Sequence, residues 1–206
     1  MTTEALMGKA RNLLSMARSA LHYERALTKA SGESFNVFNI LRIAHYEVRT
    51  HSPILAELLN PKGSHGQGAV FLKDFCSTVG IRDFDAESGW VRLESHIGRQ
   101  TTDEGGRIDI LVADRNGSQL IIENKIYALE QPNQLKRYKN YSPKAHLLFL
   151  TLFGEASEDR GMCSSADAKN ISYSSDVLRW LEQCRKEAAN APIVRETIAS
   201  AIYPSR

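Results

Sequence analysis

Three charged residues stand inside or at the end of apolar runs in the middle of the chain. Asp109 interrupts the run 108–113, and Glu123 and Lys125 follow the apolar residues 120–122. A carboxylate or ammonium group that is buried without a partner is costly, so such residues require one another or a metal ion. Because Glu123 and Lys125 are two residues apart, both side chains point to the same face of a strand. Asp109, on the preceding strand, can reach that face too.

Two carboxylates and one ammonium group suit a hard divalent cation. Mg²⁺ or Mn²⁺ prefers oxygen ligands and keeps several waters, which leaves room for a phosphate oxygen. The lysine can hold or deprotonate an attacking water while the metal supplies Lewis acidity. The reaction class that follows is metal-assisted hydrolysis of a phosphodiester. The alternative is a structural α/β domain in which the two acids merely pair with Lys125 at the edge of a sheet.

The surrounding pattern predicts the elements that position these residues. Alternation and turn signals predict three antiparallel strands, with Asn116-Gly117 as the turn between the second and third. Ser52 is the predicted cap of a helix whose first turn accepts Pro53. The predicted elements in chain order are helices 4–27, 35–48, 52–59 and 69–79, strands 91–97, 108–113 and 120–126, helix 134–141, strands 146–152 and 171–173, and helices 175–189 and from 192 onward. This order indicates an α/β fold with a mixed sheet.

Length and composition fit one compact domain with a peripheral extension. The 206 residues carry a net charge of +2, which excludes a strongly basic nucleic-acid wrapper and an acidic disordered tail. Three cysteines without a CxxC pair argue against a disulfide framework, and they favour free thiols in a reducing cytoplasm. No apolar run approaches the ~18–20 residues that span a bilayer, so no membrane association is expected.

The near-neutral total conceals two segments of opposite charge. Residues 81–124 contain nine acidic and five basic residues, whereas residues 125–144 contain five basic residues and one acidic residue. A basic helix beside an acidic metal pocket suits a phosphodiesterase, because the helix attracts the phosphate backbone. The other interpretation of the basic segment is a solvated, lysine-rich helix.

The spacing of these residues resembles a known family. Asp109, followed after thirteen residues by Glu123-Asn124-Lys125, resembles the D…(D/E)xK signature of the PD-(D/E)XK nuclease superfamily. Gln134 and Tyr138 look like the QxxxY motif of its recombination-exonuclease-like branch. Ile108 replaces the eponymous proline, a common variation.

The segments 51–61 and 65–68 are similar to a bacterial subfamily, and the resemblance spans about residues 35–200. It implies a restriction-endonuclease-like core, α-β-β-β-α-β with a mixed central sheet, preceded by extra N-terminal helices. Residues 1–32 are then an N-terminal helical extension, and residues 33–206 are the nuclease-like domain. The chain stops at Arg206, where family members are expected to continue through more helix, so this copy is expected to be a natural short form, a truncation or an engineered version.

The resemblance also implies roles for individual residues. Asp109 and Glu123 bind Mg²⁺ or Mn²⁺ together with the backbone carbonyl of Asn124, and Lys125 positions the water. Further implied residues act beside this centre or on the nucleic acid. Gln134 and Tyr138 steady the site or touch the DNA backbone, Glu47 supplies an extra acid, and the nucleic-acid contacts are Gln131, Lys136, Arg137 and Lys139.

The function implied is a metal-dependent nuclease in the cytoplasm that hydrolyses nucleic acid, with DNA as the expected substrate and a homodimer as an expected assembly. The alternative is a catalytically inactive nuclease fold that binds nucleic acid or a protein partner. Metal-independent DNA binding that survives Asp109→Ala would favour the alternative.

Overall fold

A computed structural model of the chain describes residues 3–31, 50–126, 131–157 and 168–202. The predicted helix 35–48, and Glu47 within it, lie outside the described residues. Helices α1 (Thr3–Ser31), α2 (Ser52–Leu59) and α3 (Val70–Thr78) precede the strands. The later elements are β1 (Trp90–His96), β2 (Arg107–Ala113), β3 (Gln119–Lys125), α4 (Gln134–Tyr141), β4 (His146–Thr151), β5 (Lys169–Ser172), α5 (Leu178–Glu187) and α6 (Pro192–Ile202).

The five strands form one mixed sheet in the order β1-β2-β3-β4-β5. β1, β2 and β3 are an antiparallel meander, whereas β4 pairs parallel to β3 and β5 pairs parallel to β4. A parallel neighbour requires a crossover connection, and α4 lies in the crossover from β3 to β4. The predicted α/β fold with a mixed sheet is therefore confirmed.

Apolar side chains cover both faces of the sheet. One face, with Ile110 and Ile122, packs against α2, α3 and α5 in the larger core, where Trp180 donates a hydrogen bond to the Phe71 carbonyl at 2.8 Å. The other face packs against α4 in a smaller core that includes Leu135 and Tyr138. Strand alternation thus sends neighbouring residues of β3 into different environments. Cys76 and Cys184 are free and buried, and Cys163 lies outside the described residues.

The start of α2 differs from the prediction. The helix begins at Ser52 itself, His51 occupies the cap position, and no side chain caps the helix. The Ser52 hydroxyl instead accepts a hydrogen bond from the Asn124 side chain at 3.0 Å. The predicted capping role of Ser52 is therefore wrong, because this hydroxyl is turned toward the sheet.

None of the described helices is both long and apolar enough to cross a membrane.

Candidate active site

The three charged residues meet where β2 and β3 end their pairing. Glu123 is only 1% exposed, and its Oε1 lies 2.9 Å from the Nζ atom of Lys125, whose side chain is 12% exposed. Asp109 reaches the same strand through Oδ2, which accepts a hydrogen bond from the Asn124 backbone N–H at 2.9 Å. The two acids and the lysine thus form one cluster of charged side chains, close enough for their charges to interact.

Burial governs the acidity of both carboxyl groups. Burial, reinforced by repulsion from Asp109, raises the pKa of Glu123 to about 8, although Lys125 and Tyr138 oppose the shift. Burial also raises the pKa of Asp109, against the lowering effects of the Asn124 N–H and of Lys125. Two carboxyl groups that resist ionisation near each other are suited to a cation, which stabilises their ionised forms.

Helix α4 supplies the next contacts to Glu123. The Tyr138 hydroxyl is buried 3.0 Å from Glu123 Oε2 and 2.5 Å from the Arg107 carbonyl oxygen. Gln134 donates from Nε2 to the Tyr138 hydroxyl at 2.9 Å, as the four-residue spacing on one helix face allows. Because the Tyr138 hydroxyl lies beside Glu123, burial and the Glu123 carboxylate both raise the pKa of Tyr138.

The donor set fits a hard divalent cation that keeps part of its water shell. Within residues 50–126, 131–157 and 168–202, no three His, Cys, Asp or Glu side chains form a metal-binding group. Asp109 and Glu123 are two oxygen donors, and a cation held there would take its remaining ligands from the Asn124 carbonyl and from waters. Mg²⁺ is commonly bound through one or two carboxylates with several waters retained.

A comparison with protein-family models matches residues 35–202 to the PD-(D/E)XK nuclease superfamily. The chain belongs to this superfamily. The match covers the sheet, the three charged residues and the helices α2 to α6, so the family resemblance drawn from the D…ExK spacing is confirmed. A search of curated proteins and a search of solved structures each found no match.

The residues predicted to contact nucleic acid lie in different environments. Gln131 is exposed, and its Oε1 accepts a hydrogen bond from Gln100 Nε2 at 3.3 Å. Lys136 is half-buried, and its Nζ lies 2.7 Å from Asp103 Oδ1. Lys139 is half-buried and borders a cavity of about 340 Å³ that is also lined by Lys144, His146 and Lys169.

Arg137 points inward instead of toward solvent. Its side chain is 2% exposed, and the guanidinium donates to the Gly105 carbonyl at 3.1 Å and to the Pro132 carbonyl at 2.6 Å. The expectation that Arg137 contacts nucleic acid is not met in this conformation, because its guanidinium is used to tie the β1–β2 loop to α4.

Sequence reasoning missed a third acid near Asp109, Glu94. It lies in β1 opposite Asp109, where the β1–β2 pairing skips one residue pair. Its Oε2 lies 2.6 Å from Arg107 Nε, and its negative charge contributes to the raised pKa of Asp109. Its Oε1 is buried and has no hydrogen-bond partner among the described residues. Only the register of β1 against β2 could have revealed this neighbour.

Proposed function

We propose that the chain is a metal-dependent nuclease that hydrolyses phosphodiester bonds of DNA, with Mg²⁺ or Mn²⁺ as its cation. The observation that carries the proposal is the clustering of Asp109, Glu123 and Lys125, whose charges interact where β2 and β3 end their pairing. Membership of a nuclease superfamily supports the reaction class.

Each residue has a role that its surroundings support. Asp109, Glu123 and the Asn124 carbonyl hold the cation, which supplies Lewis acidity when bound. Lys125 orients the attacking water through its ammonium group, which already lies against Glu123. Tyr138 fixes the Glu123 carboxylate by a hydrogen bond, and Gln134 in turn donates to the Tyr138 hydroxyl, so both act on the chemistry through the position of Glu123. Glu47, outside the described residues, remains a proposed extra acid.

Residues on and before α4 are the proposed contacts to the DNA backbone. Lys136 and Lys139 come from α4, the helix that also supplies Tyr138, and Gln131 precedes this helix. Phosphate contacts of this kind position a duplex without reading its sequence. Arg137 contributes indirectly by holding the β1–β2 loop against α4.

The N-terminal extension is proposed to end near residue 32, with the nuclease domain after it. The family match begins at residue 35, which supports this boundary. The side chains of residues 6–23 in α1 are all exposed, so this part of the helix adds nothing to either core. The cytoplasmic location and the homodimer stay predictions.

The proposal is tested by incubating the full chain with linear DNA in Mg²⁺ or Mn²⁺. We expect cleavage that EDTA abolishes and that Lys125→Ala lowers about 100-fold, on the order of the effect of misplacing a reacting group in the site. Lys186→Ala is the matched control, because it removes an exposed lysine from α5. Equal cleavage by Lys125→Ala would contradict the role of Lys125. Metal-independent DNA binding without cleavage would instead support an inactive binding module.

A further inference from the structure

Asn124 lies between the two charged residues of the ExK segment, and its side chain enters the opposite side of the sheet. It is 3% exposed. Its Nδ2 donates to the Ser52 hydroxyl at 3.0 Å, and its Oδ1 accepts from the Tyr173 hydroxyl at 3.0 Å. Both ends of the buried amide are therefore bonded, one to the start of α2 and the other to the segment just after β5.

The backbone of Asn124 contacts the Asp109 carboxylate. Its N–H donates to Asp109 Oδ2 at 2.9 Å, which fixes one oxygen of that carboxylate. Its carbonyl is the third proposed ligand of the cation. Any rotation or shift of this one peptide segment would therefore move two of the three ligands.

The sheet alone holds this segment from one side only. The pairing of β3 with β2 ends at Ile122 opposite Ile110, whereas the pairing with β4 continues through Asn124 and Lys125. Beyond Ile122, the N–H of Asn124 therefore bonds to the Asp109 side chain. The hydrogen bonds from Ser52 and Tyr173 restrain the segment where the β2 ladder no longer does.

Packing alone would not call for a polar side chain at this position. Ile122 and Leu150 line the same side of the sheet within the larger core, so an aliphatic side chain would satisfy burial there. A buried amide is tolerated only when its donors and acceptors are bonded, and its bonds fix direction as well as distance. Ser52 and Tyr173 supply those bonds from segments far from Asn124 in sequence.

We propose that Ser52 and Tyr173 are positioning residues that act through Asn124 to hold two ligands of the metal site. This inference rests on the proposed function, because it needs a cation at Asp109 and Glu123. The hydrogen bonds described join both residues to the Asn124 side chain and not to the carboxylates. We therefore expect their loss to change the affinity of the site for the metal ion. Partners of metal ligands of this kind commonly change metal affinity 10–100-fold when removed, so we expect roughly that range.

The experiment measures Mn²⁺ affinity of the full chain by isothermal titration calorimetry and by electron paramagnetic resonance, without substrate. We expect Ser52→Ala and Tyr173→Phe each to raise the Kd for Mn²⁺ about ten-fold. They should also broaden the spectrum of bound Mn²⁺. The double variant should lose less than the product of the two single effects, because both hydroxyls restrain one amide.

The matched control is Asp114→Asn, at the other end of the β2–β3 hairpin. The Asp114 carboxylate is buried and accepts hydrogen bonds from the backbone N–H groups of Asp85, Asn116 and Ser118. The variant therefore destabilises the fold at a distance from the proposed metal ligands. We expect it to lower the melting temperature while leaving the Kd for Mn²⁺ unchanged.

The outcomes separate the two proposals. If the unaltered chain binds Mn²⁺ and both hydroxyl variants bind it equally well, the positioning role is overturned and the proposed function stands. If Asp114→Asn weakens binding as much as Tyr173→Phe does, the effect is one of general stability and the inference fails. If the unaltered chain binds no Mn²⁺, the metal site of the proposed function fails and the positioning role falls with it.

Discussion

At the scale of single residues, Glu123 and Tyr138 share a hydrogen-bonding problem. The Tyr138 hydroxyl has one hydrogen, yet it lies within bonding distance of both Glu123 Oε2 and the Arg107 carbonyl oxygen. A neutral Glu123 can donate to the tyrosine oxygen, which lets the tyrosine donate to the carbonyl. An ionised Glu123 competes with that carbonyl for the single hydrogen. The contact therefore depends on the protonation of Glu123.

The same residue predicts how stability depends on pH when no metal is bound. The pKa of Glu123 rises from its ordinary value of 4.5 to about 8 in the folded chain, so the folded state holds its proton more tightly. This contribution to the free energy of unfolding is complete below pH 4.5 and is lost as the pH rises to about 8. Urea unfolding in EDTA at a series of pH values measures it.

The control for the pH series is Glu123→Gln, which cannot ionise. We expect this variant to lose the part of the pH dependence between 4.5 and about 8 that belongs to Glu123. Identical pH profiles for the two proteins would show that Glu123 ionises normally in the folded chain. Adding Mg²⁺ should stabilise the unaltered chain more at high pH than at low pH, since binding requires the carboxylate.

Among the elements, the β1–β2 loop is bound to α4 by hydrogen bonds from side chains of that helix. Arg137 donates to the Gly105 carbonyl, and Asn140 Nδ2 donates to the Asp103 carbonyl at 2.8 Å. Gly105 has a φ of +74°, and a Cβ there would lie 2.1 Å from the Arg99 carbonyl oxygen. These contacts fix the shape of the loop. The same helix contacts the Glu123 carboxylate through the Tyr138 hydroxyl, so α4 links the loop to that carboxylate.

This fastening predicts that Arg137 matters for stability. Arg137→Met keeps the aliphatic stem but removes the donor of a buried hydrogen bond to the Gly105 carbonyl and of a partly buried one to the Pro132 carbonyl. We therefore expect the free energy of unfolding to fall by about 2 kcal/mol. Lys136→Met is the control, because an exposed ion pair such as that with Asp103 contributes at most about 1 kcal/mol. Urea unfolding compares the two. An equal small effect for both variants would mean that the buried guanidinium is dispensable.

Across the molecule, acidic and basic residues are concentrated in different segments, and some of these residues form ion pairs with one another. The acidic segment 81–124 and the basic segment 125–144 meet where Lys136 pairs with Asp103. Farther along the sheet, His146 Nε2 lies 3.0 Å from Asp83 Oδ1, beside the cavity lined by Lys139 and Lys144. The basic surface available to a phosphate backbone is therefore smaller than the count of basic residues indicates.

That surface predicts how salt affects DNA binding in EDTA. We expect affinity to fall with salt, and the double variant Lys139→Ala with Lys144→Ala to reduce the slope of log K against log salt by about 2, roughly one for each lost phosphate contact. Lys186→Ala, on α5, should leave the slope unchanged. Fluorescence anisotropy with labelled duplex measures the slopes. An unaltered slope in the double variant would place the backbone elsewhere on the molecule.

Sequence patterns predicted most of the fold because strands and helices leave local periodicities. The interruption of apolar runs by Asp109 and Glu123 also predicted the candidate site, since charged residues are rare in buried strands. Burial of a long side chain leaves no such local mark, so Arg137 was counted with the surface residues. The bonds from Ser52 and Tyr173 to Asn124 join segments far apart in sequence, and no spacing rule could reveal them.

The backbone conformation of Glu94 predicts how this position responds to selection. Its φ of +49° is in the left-handed region, which is unusual for a residue other than glycine and stores about 1–3 kcal/mol of backbone strain. Glycine would relieve that strain and remove the carboxylate beside Asp109. Selection for thermal stability alone should therefore drive this position toward glycine. Selection that also preserves activity should keep the strained acid if its carboxylate serves the site, so a laboratory evolution experiment run under the two regimes should diverge here.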